Sequence, residues 1–210
     1  PSTDHEGVYC FTEDNNMNYY LSGVKYSSLP DGGNSGYILK IDRNGTFVDE
    51  FISSGQGKNS IYTSIFYSDT FSNSLIVVGN EDSITSAGLI NRIAVLNLST
   101  ELGINSKSLF SFGKEYQNLP QESLLVNDSI IYIVSWVFAE LDPVIHLSVL
   151  KVGLPSDSLG YFMSPFSGKQ TSSDIIYNKI DSTILISYGG SLFKGGGMTK
   201  VIKFDSDLNY

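Results

Sequence analysis

One pattern recurs through the chain with a period of about 55 residues, and it limits the fold more than any other feature. The best-formed copy lies at 36–52, GYILKIDRNGTFVDEFI. Two apolar-rich segments flank Asp42-Arg43-Asn44-Gly45, and Asn-Gly accepts the positive-φ geometry of a tight hairpin turn. The spacing therefore predicts strands at 37–41 and 46–52.

The rest of the chain repeats this design. A first unit adds strands at 8–11 and 19–24 ahead of that hairpin. The second places strands at 60–67, 75–79, 92–98 and 108–112, and the third at 123–126, 130–136, 145–152 and 160–163. The fourth gives 175–178, 183–188 and 199–204, which makes fifteen predicted strands in all. Strands within a unit are called a, b, c and d in chain order.

Three markers keep the period. The end of strand c falls at Asp42, Asn97, Lys151 and Asp205, spaced by 55, 54 and 54 residues. The centre of strand b falls at Gly23, Gly79, Ser135 and Tyr188, and an aspartate marks each a-to-b turn: Asp14, Asp69, Asp128 and Asp181. A fixed period of this length signals stacked supersecondary units, and four short antiparallel strands per unit fit a β-propeller blade. Runs such as 75–78 and 130–134 are continuously apolar, as expected of sheets buried on both faces.

The expected fold is thus all-β: a β-propeller of about four four-stranded antiparallel blades at 7–52, 60–112, 122–164 and 173–210, with the last blade incomplete. Residues 1–210 form one propeller region that is part of a larger propeller or is closed by neighbours through its open blade ends. A closed four-bladed ring is the alternative.

The b-to-c pattern Leu75-Ile76-Val77-Val78-Gly79 with Arg92-Ile93-Ala94-Val95-Leu96-Asn97 resembles bacterial extracellular propeller repeats of the delta-sixty type. Tyr37-Ile38-Leu39-Lys40-Ile41-Asp42 with Asn44-Gly45 and Phe47 is similar to the c-turn-d segment of those repeats, and more generally of WD-like blades. In the third unit Gly153-Leu154-Pro155 replaces the Asn-Gly turn. The resemblance implies an extracellular or cell-surface location.

Charge narrows the partners. With 13 basic against 22 acidic residues the net charge is -9, which argues against nucleic acid as a ligand. No apolar run approaches the roughly 20 residues of a membrane-spanning helix. PSTDHEG lacks the basic n-region of a secretory signal, as a processed N-terminus would look. The single cysteine, Cys10, has apolar neighbours in Val8, Tyr9 and Phe11, so a buried thiol is expected.

Candidate binding residues lie in the loops. Gly57-Lys58, Gly113-Lys114 and Gly168-Lys169 recur just before strand a, where Lys58, Lys114 and Lys169 would surround one mouth of a closed propeller and attract an anion or an acidic sugar. A phosphate-binding loop at 55–60 is rejected, because Ile52 occupies a required glycine position and a strand follows. The b-to-c loops at 25–36, 80–91, 137–144 and 189–198 carry aromatic residues. Trp136, with Tyr26, Phe138 and Phe193, could stack on a sugar ring or a protein side chain.

Asp205-Ser206-Asp207-Leu208-Asn209 alternates oxygen donors but lacks the glycine and final glutamate of a calcium loop, so a plain turn is expected there. No metal site and no cofactor are expected, and no nucleophile elbow is present. The sequons Asn44-Gly45-Thr46, Asn97-Leu98-Ser99 and Asn127-Asp128-Ser129 fall in predicted turns, so Asn44, Asn97 and Asn127 are glycosylation candidates in an exported protein.

From these features the chain is expected to be a non-enzymatic exported propeller serving ligand binding, adhesion or assembly, with a protein or carbohydrate ligand. The alternative is part of a propeller enzyme that acts on sugars or uses a quinone-type cofactor, completed by residues outside this chain. A third reading is an intracellular WD-like scaffold. Scattered Asp and Glu residues cannot be paired from sequence.

Overall fold

The computed structural model describes residues 5–26, 33–53, 59–71, 73–85, 88–112, 116–139, 145–154, 157–163, 169–192 and 196–209. Two compact units, Pro1–Phe110 and Ser111–Tyr210, hold two antiparallel sheets each. In the first unit β1 (His5–Glu13), β2 (Tyr19–Tyr26), β3 (Ser35–Ile41) and β4 (Phe47–Ile52) form one sheet. A second is made by β5 (Ser60–Ser68), β6 (Ser74–Thr85), β7 (Gly88–Ser99) and β8 (Ile104–Phe110). The second unit contains β9 (Tyr116–Val126), β10 (Ile130–Ala139), β11 (His146–Gly153) and β12 (Asp157–Met163), followed by the three-stranded sheet β13 (Lys169–Asn178), β14 (Thr183–Leu192) and β15 (Gly196–Phe204). Strand order follows chain order throughout and no sheet closes on itself, so the expected array of meandering propeller blades is present, with three strands described in the last.

Every first strand carries a β-bulge, at a matching level in β1, β5 and β9 and one rung further from the a-to-b turn in β13. The ladder shifts between Val8 and Cys10 in β1, between Tyr62 and Ser64 in β5, opposite Val134 and Ser135 in β9, and between Thr171 and Ser173 in β13. A bulge bends its strand and re-aims the side chains that follow. It also drives backbone against the facing strand, which explains the glycines at the centre of strand b. A Cβ on Gly23 would lie 1.8 Å from the Gly7 carbonyl oxygen, and one on Gly79 would lie 2.0 Å from that of Ile61.

Three c-to-d connections, those after β3, β7 and β15, share one five-residue loop. Its first N–H donates to the fifth carbonyl (Asp42 to Thr46, 2.9 Å; Ser99 to Gly103, 2.8 Å; Asp205 to Asn209, 3.0 Å), and its fourth residue has positive φ. The leading side chain accepts from the loop backbone: Asp42 Oδ1 from the N–H groups of Asn44 and Thr46, and Asp205 Oδ1 from those of Asp207 and Asn209. Backbone donors thus engage the Asp205 carboxylate, as a plain turn requires. Glycine takes the positive-φ position only at Gly45. Leu102 and Leu208 fill it elsewhere, and both side chains are buried in a core, which offsets the backbone cost.

Two cores hold neighbouring sheets together. Tyr20 and Ile38 of the first sheet pack on Tyr62, Ile65, Leu75, Val77, Leu96 and Leu98 of the second. Tyr132, Val134, Leu147 and Val149 of the third pack on Ile175, Ile184, Ile186 and Phe204 of the fourth. Each contact is fastened by a tyrosine and a lysine that cross into the next sheet's c-to-d loop. Tyr20 Oη donates to the Thr100 carbonyl (3.1 Å), and Lys40 Nζ donates to Thr100 O (2.9 Å) and Glu101 Oε1 (3.1 Å). In the second unit Tyr132 Oη donates to Ser206 O (3.0 Å) and Lys151 Nζ to Asp207 Oδ1 (3.1 Å). Burial first, then the charges around it, pushes the Tyr132 hydroxyl pKa up to about 12.

Asp14 anchors the first clasp from below. It is buried, its Oδ1 accepts from the N–H groups of Asn16 and Asn18, and its Oδ2 accepts from Asn18 Nδ2 and from Tyr20 Oη at 2.9 Å. Burial alone would raise its pKa, but these donors together hold it below the ordinary aspartate value. The stability it contributes is therefore present above the unfolded-state pKa and lost as pH falls through the lowered one. Asp14→Ala should cost about 3 kcal/mol at neutral pH and much less in acid, measured by urea unfolding at both.

Three local expectations are corrected. Residues 80–91 and 189–198, expected as loops, largely extend β6, β7, β14 and β15. Polar residues there satisfy one another across the hairpin, with Asn91 Nδ2 donating to Asp82 Oδ1 at 3.0 Å. Asn97, expected in a turn, lies within β7, is buried, and accepts from Asn105 Nδ2 at 3.1 Å, because the loop begins two residues later at Ser99. Cys10 is only partly buried, and its neighbours Val8, Tyr9 and Phe11 are exposed.

Candidate active site

Counting ladder rungs from the c-to-d loops aligns the four first strands. The rung at that level pairs Cys10 with Ser22, Ser64 with Val78, Glu122 with Val134, and Asp174 with Ser187. The second unit thus places a carboxylate at the same level of two consecutive first strands, β9 and β13, where the first unit has a thiol and a hydroxyl. Both carboxylates reach solvent. Partial burial, and after it the negative charge of Asp174, raises the Glu122 pKa above the ordinary glutamate value. Asp174 Oδ1 accepts the Ile175 N–H at 2.8 Å.

Two carboxyl groups at one level, one of them inclined to keep its proton, are suited to general acid–base work. Other acids are committed to structure. Asp82 accepts from the backbone N–H and Nδ2 of Asn59, each at 3.1 Å, and from Asn91. Glu81 accepts from Tyr62 Oη at 3.1 Å and pairs with Lys107. Among the described residues no three His, Cys, Asp or Glu side chains group as a metal site.

Lys58 and Lys114 lie outside the described residues, and Lys169 opens β13 with its side chain likewise outside them. Trp136 stands on β10 between Leu119 and Leu147, partly buried. It shares a face with Val134 and Glu122, one rung pair away. Tyr26 ends β2 and is exposed, Phe138 is partly buried on β10, and Phe193 is outside the described residues. Asn44 and Asn127 are exposed in turns. The pairing of Glu122 with Asp174 has no sequence motif. The available signal is their equal distance, four residues, from the ends of β9 and β13, and reading it requires the ladder register.

No family model and no curated protein matches the chain. Solved structures do. Over 90% of its length the chain is similar to an N-acetylgalactosamine deacetylase from F. plautii, solved in complex with blood group B trisaccharide, with a TM-score of 0.59 and 13% identity. Over its whole length it is similar to a thermostable family-43 glycoside hydrolase, with a TM-score of 0.53 and 10% identity. The chain spans 64% of the first structure and 72% of the second. At such identity the likeness shows the fold, a β-propeller. Among the described residues no helix is long and apolar enough to cross a membrane. The expectation of a non-enzymatic propeller is corrected by these findings, since both similar structures are of enzymes named for acting on carbohydrate.

Proposed function

We propose that the chain forms part of a propeller enzyme that cleaves glycosidic bonds, with Glu122 as proton donor and Asp174 as the second carboxyl group of the pair. The observation that carries this reading is the common ladder level of the two carboxylates on adjacent first strands, joined to the raised pKa of Glu122. Glycosidic oxygen is a poor leaving group until it is protonated, and the sugar carbon must be met by a nucleophile or an activated water. A divided carboxyl pair supplies both needs. Glu122 delivers its proton to the departing oxygen, and Asp174 stabilises the developing positive charge and assists attack. The carbohydrate-acting enzymes that share the fold support the substrate class. An extracellular site of action belongs to the same proposal, since complex carbohydrate is found there.

A panel of nitrophenyl glycosides covering pentoses and hexoses tests it. Release of nitrophenol by the wild-type protein is expected from at least one member, with loss of that release in Asp174→Asn, and with loss in Glu122→Gln of cleavage of the corresponding disaccharide, whose departing oxygen needs a proton; each variant is shown to be folded by circular dichroism. Cleavage of both substrates that persists undiminished in both variants would overturn the assignment.

A further inference from the structure

Four tyrosines are buried in the two cores, and the hydroxyls of three are satisfied. Tyr20 is bonded to Asp14 and the Thr100 carbonyl, Tyr62 to Glu81, and Tyr132 to the Ser206 carbonyl. The fourth, Tyr188, is 4% exposed, and its hydroxyl is buried without a hydrogen-bond partner. Burial alone raises its pKa, with no charged neighbour contributing. A buried hydroxyl left in this state destabilises the folded chain, so its presence calls for a reason.

Counting rungs from the c-to-d loops places Tyr188 at the level of Gly79. In the second sheet that rung pairs Gly79 with Tyr62, whose hydroxyl reaches Glu81, two residues further along β6 on the same face. In the fourth sheet the tyrosine stands on the second strand instead, opposite Ser173, and the position two residues further is Gly190. The carboxylate that satisfies the first unit's phenol is thus replaced by a residue with no side chain. The surroundings of Tyr188 are those of the carboxyl pair. Its rung partner Ser173 precedes Asp174, and it shares a core with Val134 and Leu147, the rung partners of Glu122 and Trp136. Trp136 is only partly buried, so the cover of this core is incomplete on its side. An aromatic ring and an unsatisfied hydroxyl next to two acids are the parts of a saccharide subsite: the ring takes the apolar face of a sugar and the hydroxyl takes one of its polar groups.

We propose that Tyr188 is a specificity-determining residue of that subsite, its hydroxyl bonding a ring hydroxyl of the sugar unit that rests on Trp136. The inference takes its ligand class from the glycosidase reading above. The sugar enters along Trp136 and displaces the apolar cover that shields the phenol in the free protein. Binding then satisfies a group that folding leaves unsatisfied, and a sugar without the matching hydroxyl is rejected because the phenol stays unpaired.

Titration with methyl glycosides of the pentoses and hexoses, followed by the fluorescence of Trp136, the single tryptophan of the chain, tests the proposal without turnover. The full chain carries Glu122→Gln throughout, with and without Tyr188→Phe. At least one glycoside is expected to change the fluorescence, and Tyr188→Phe to weaken its binding by about tenfold or more. Because the hydroxyl has no partner in the free protein, Tyr188→Phe is expected to leave the urea unfolding midpoint unchanged or to raise it. Unaltered affinity in Tyr188→Phe would overturn the proposal, as would silence from every glycoside, or a lowered midpoint, which would mean that the hydroxyl is already bonded within the fold. The glycosidase reading fails separately. Tyr188-dependent binding by a protein whose wild type cleaves no glycoside would keep the subsite and overturn that reading, whereas cleavage with a KM indifferent to Tyr188→Phe would overturn the subsite alone.

Discussion

Glu122→Gln is expected to lower kcat by about three orders of magnitude on a substrate with a poor leaving group, the range lost when a positioned general acid is removed. Glutamine keeps the size and polarity of the side chain but has no proton to give, so KM should change little by comparison. The pH profile makes the prediction specific. Because partial burial and Asp174 raise the Glu122 pKa, the protonated acid survives above the ordinary glutamate range, and activity falls as pH rises through that raised value. Asp174→Asn removes a negative charge near Glu122. The alkaline limb of residual activity should therefore move to lower pH, whereas in Glu122→Gln it should vanish.

Gly79→Ala is expected to be, with Gly23→Ala, among the most damaging conservative changes in the scaffold. Its Cβ would stand 2.0 Å from the Ile61 carbonyl oxygen and 2.8 Å from the Tyr62 Cα, and neither backbone atom can turn aside as a side chain could. Relief requires β5 to part from β6 where the bulge brings them together, which breaks ladder bonds and the core behind them. A loss of about 4 kcal/mol or more is expected, a large part of a typical domain's stability. Urea unfolding followed by tyrosine fluorescence would measure it. Gly45→Ala is the control: its φ is +80° but nothing lies within 4 Å of the added carbon, so only backbone strain of about 1 kcal/mol is expected.

These two positions, Glu122 and Gly79, differ in how far the sequence reveals them. The glycine is visible because it repeats: Gly23 and Gly79 mark the centre of strand b in the amino-acid sequence alone, and the bulge supplies the physical reason. The blades are equally legible, since continuous apolar runs and a fixed period leave few other folds. Turns are harder. Gly45 announces its loop, but Leu102 and Leu208 adopt the same backbone with side chains that signal core. Sequence reasoning therefore starts the second sheet's c-to-d loop two residues early and puts Asn97 in a turn instead of a buried strand. Polar hairpin ends read as loops because sequence cannot show that Asp82 and Asn91 satisfy each other.

The candidate site is the least legible part. Glu122 and Asp174 lie 52 residues apart in sequences that share no motif, and their common level appears only when rungs are counted from the c-to-d loops. The bulges do not mark it, because Glu122 comes directly after the one in β9 whereas Ser173 stands between the one in β13 and Asp174. Composition cannot replace the ladder, because acids of the same kind, such as Asp14, Asp42 and Asp205, serve turns.

Carbon-13 NMR titration of the Glu122 carboxyl, in the wild-type protein and in Asp174→Asn, tests the paired-carboxylate site most directly, since it needs no substrate. The expected result is a Glu122 pKa above the ordinary glutamate value in the wild type and a clear fall toward that value in the variant. An ordinary pKa in the wild type, unchanged by Asp174→Asn, would contradict the paired site.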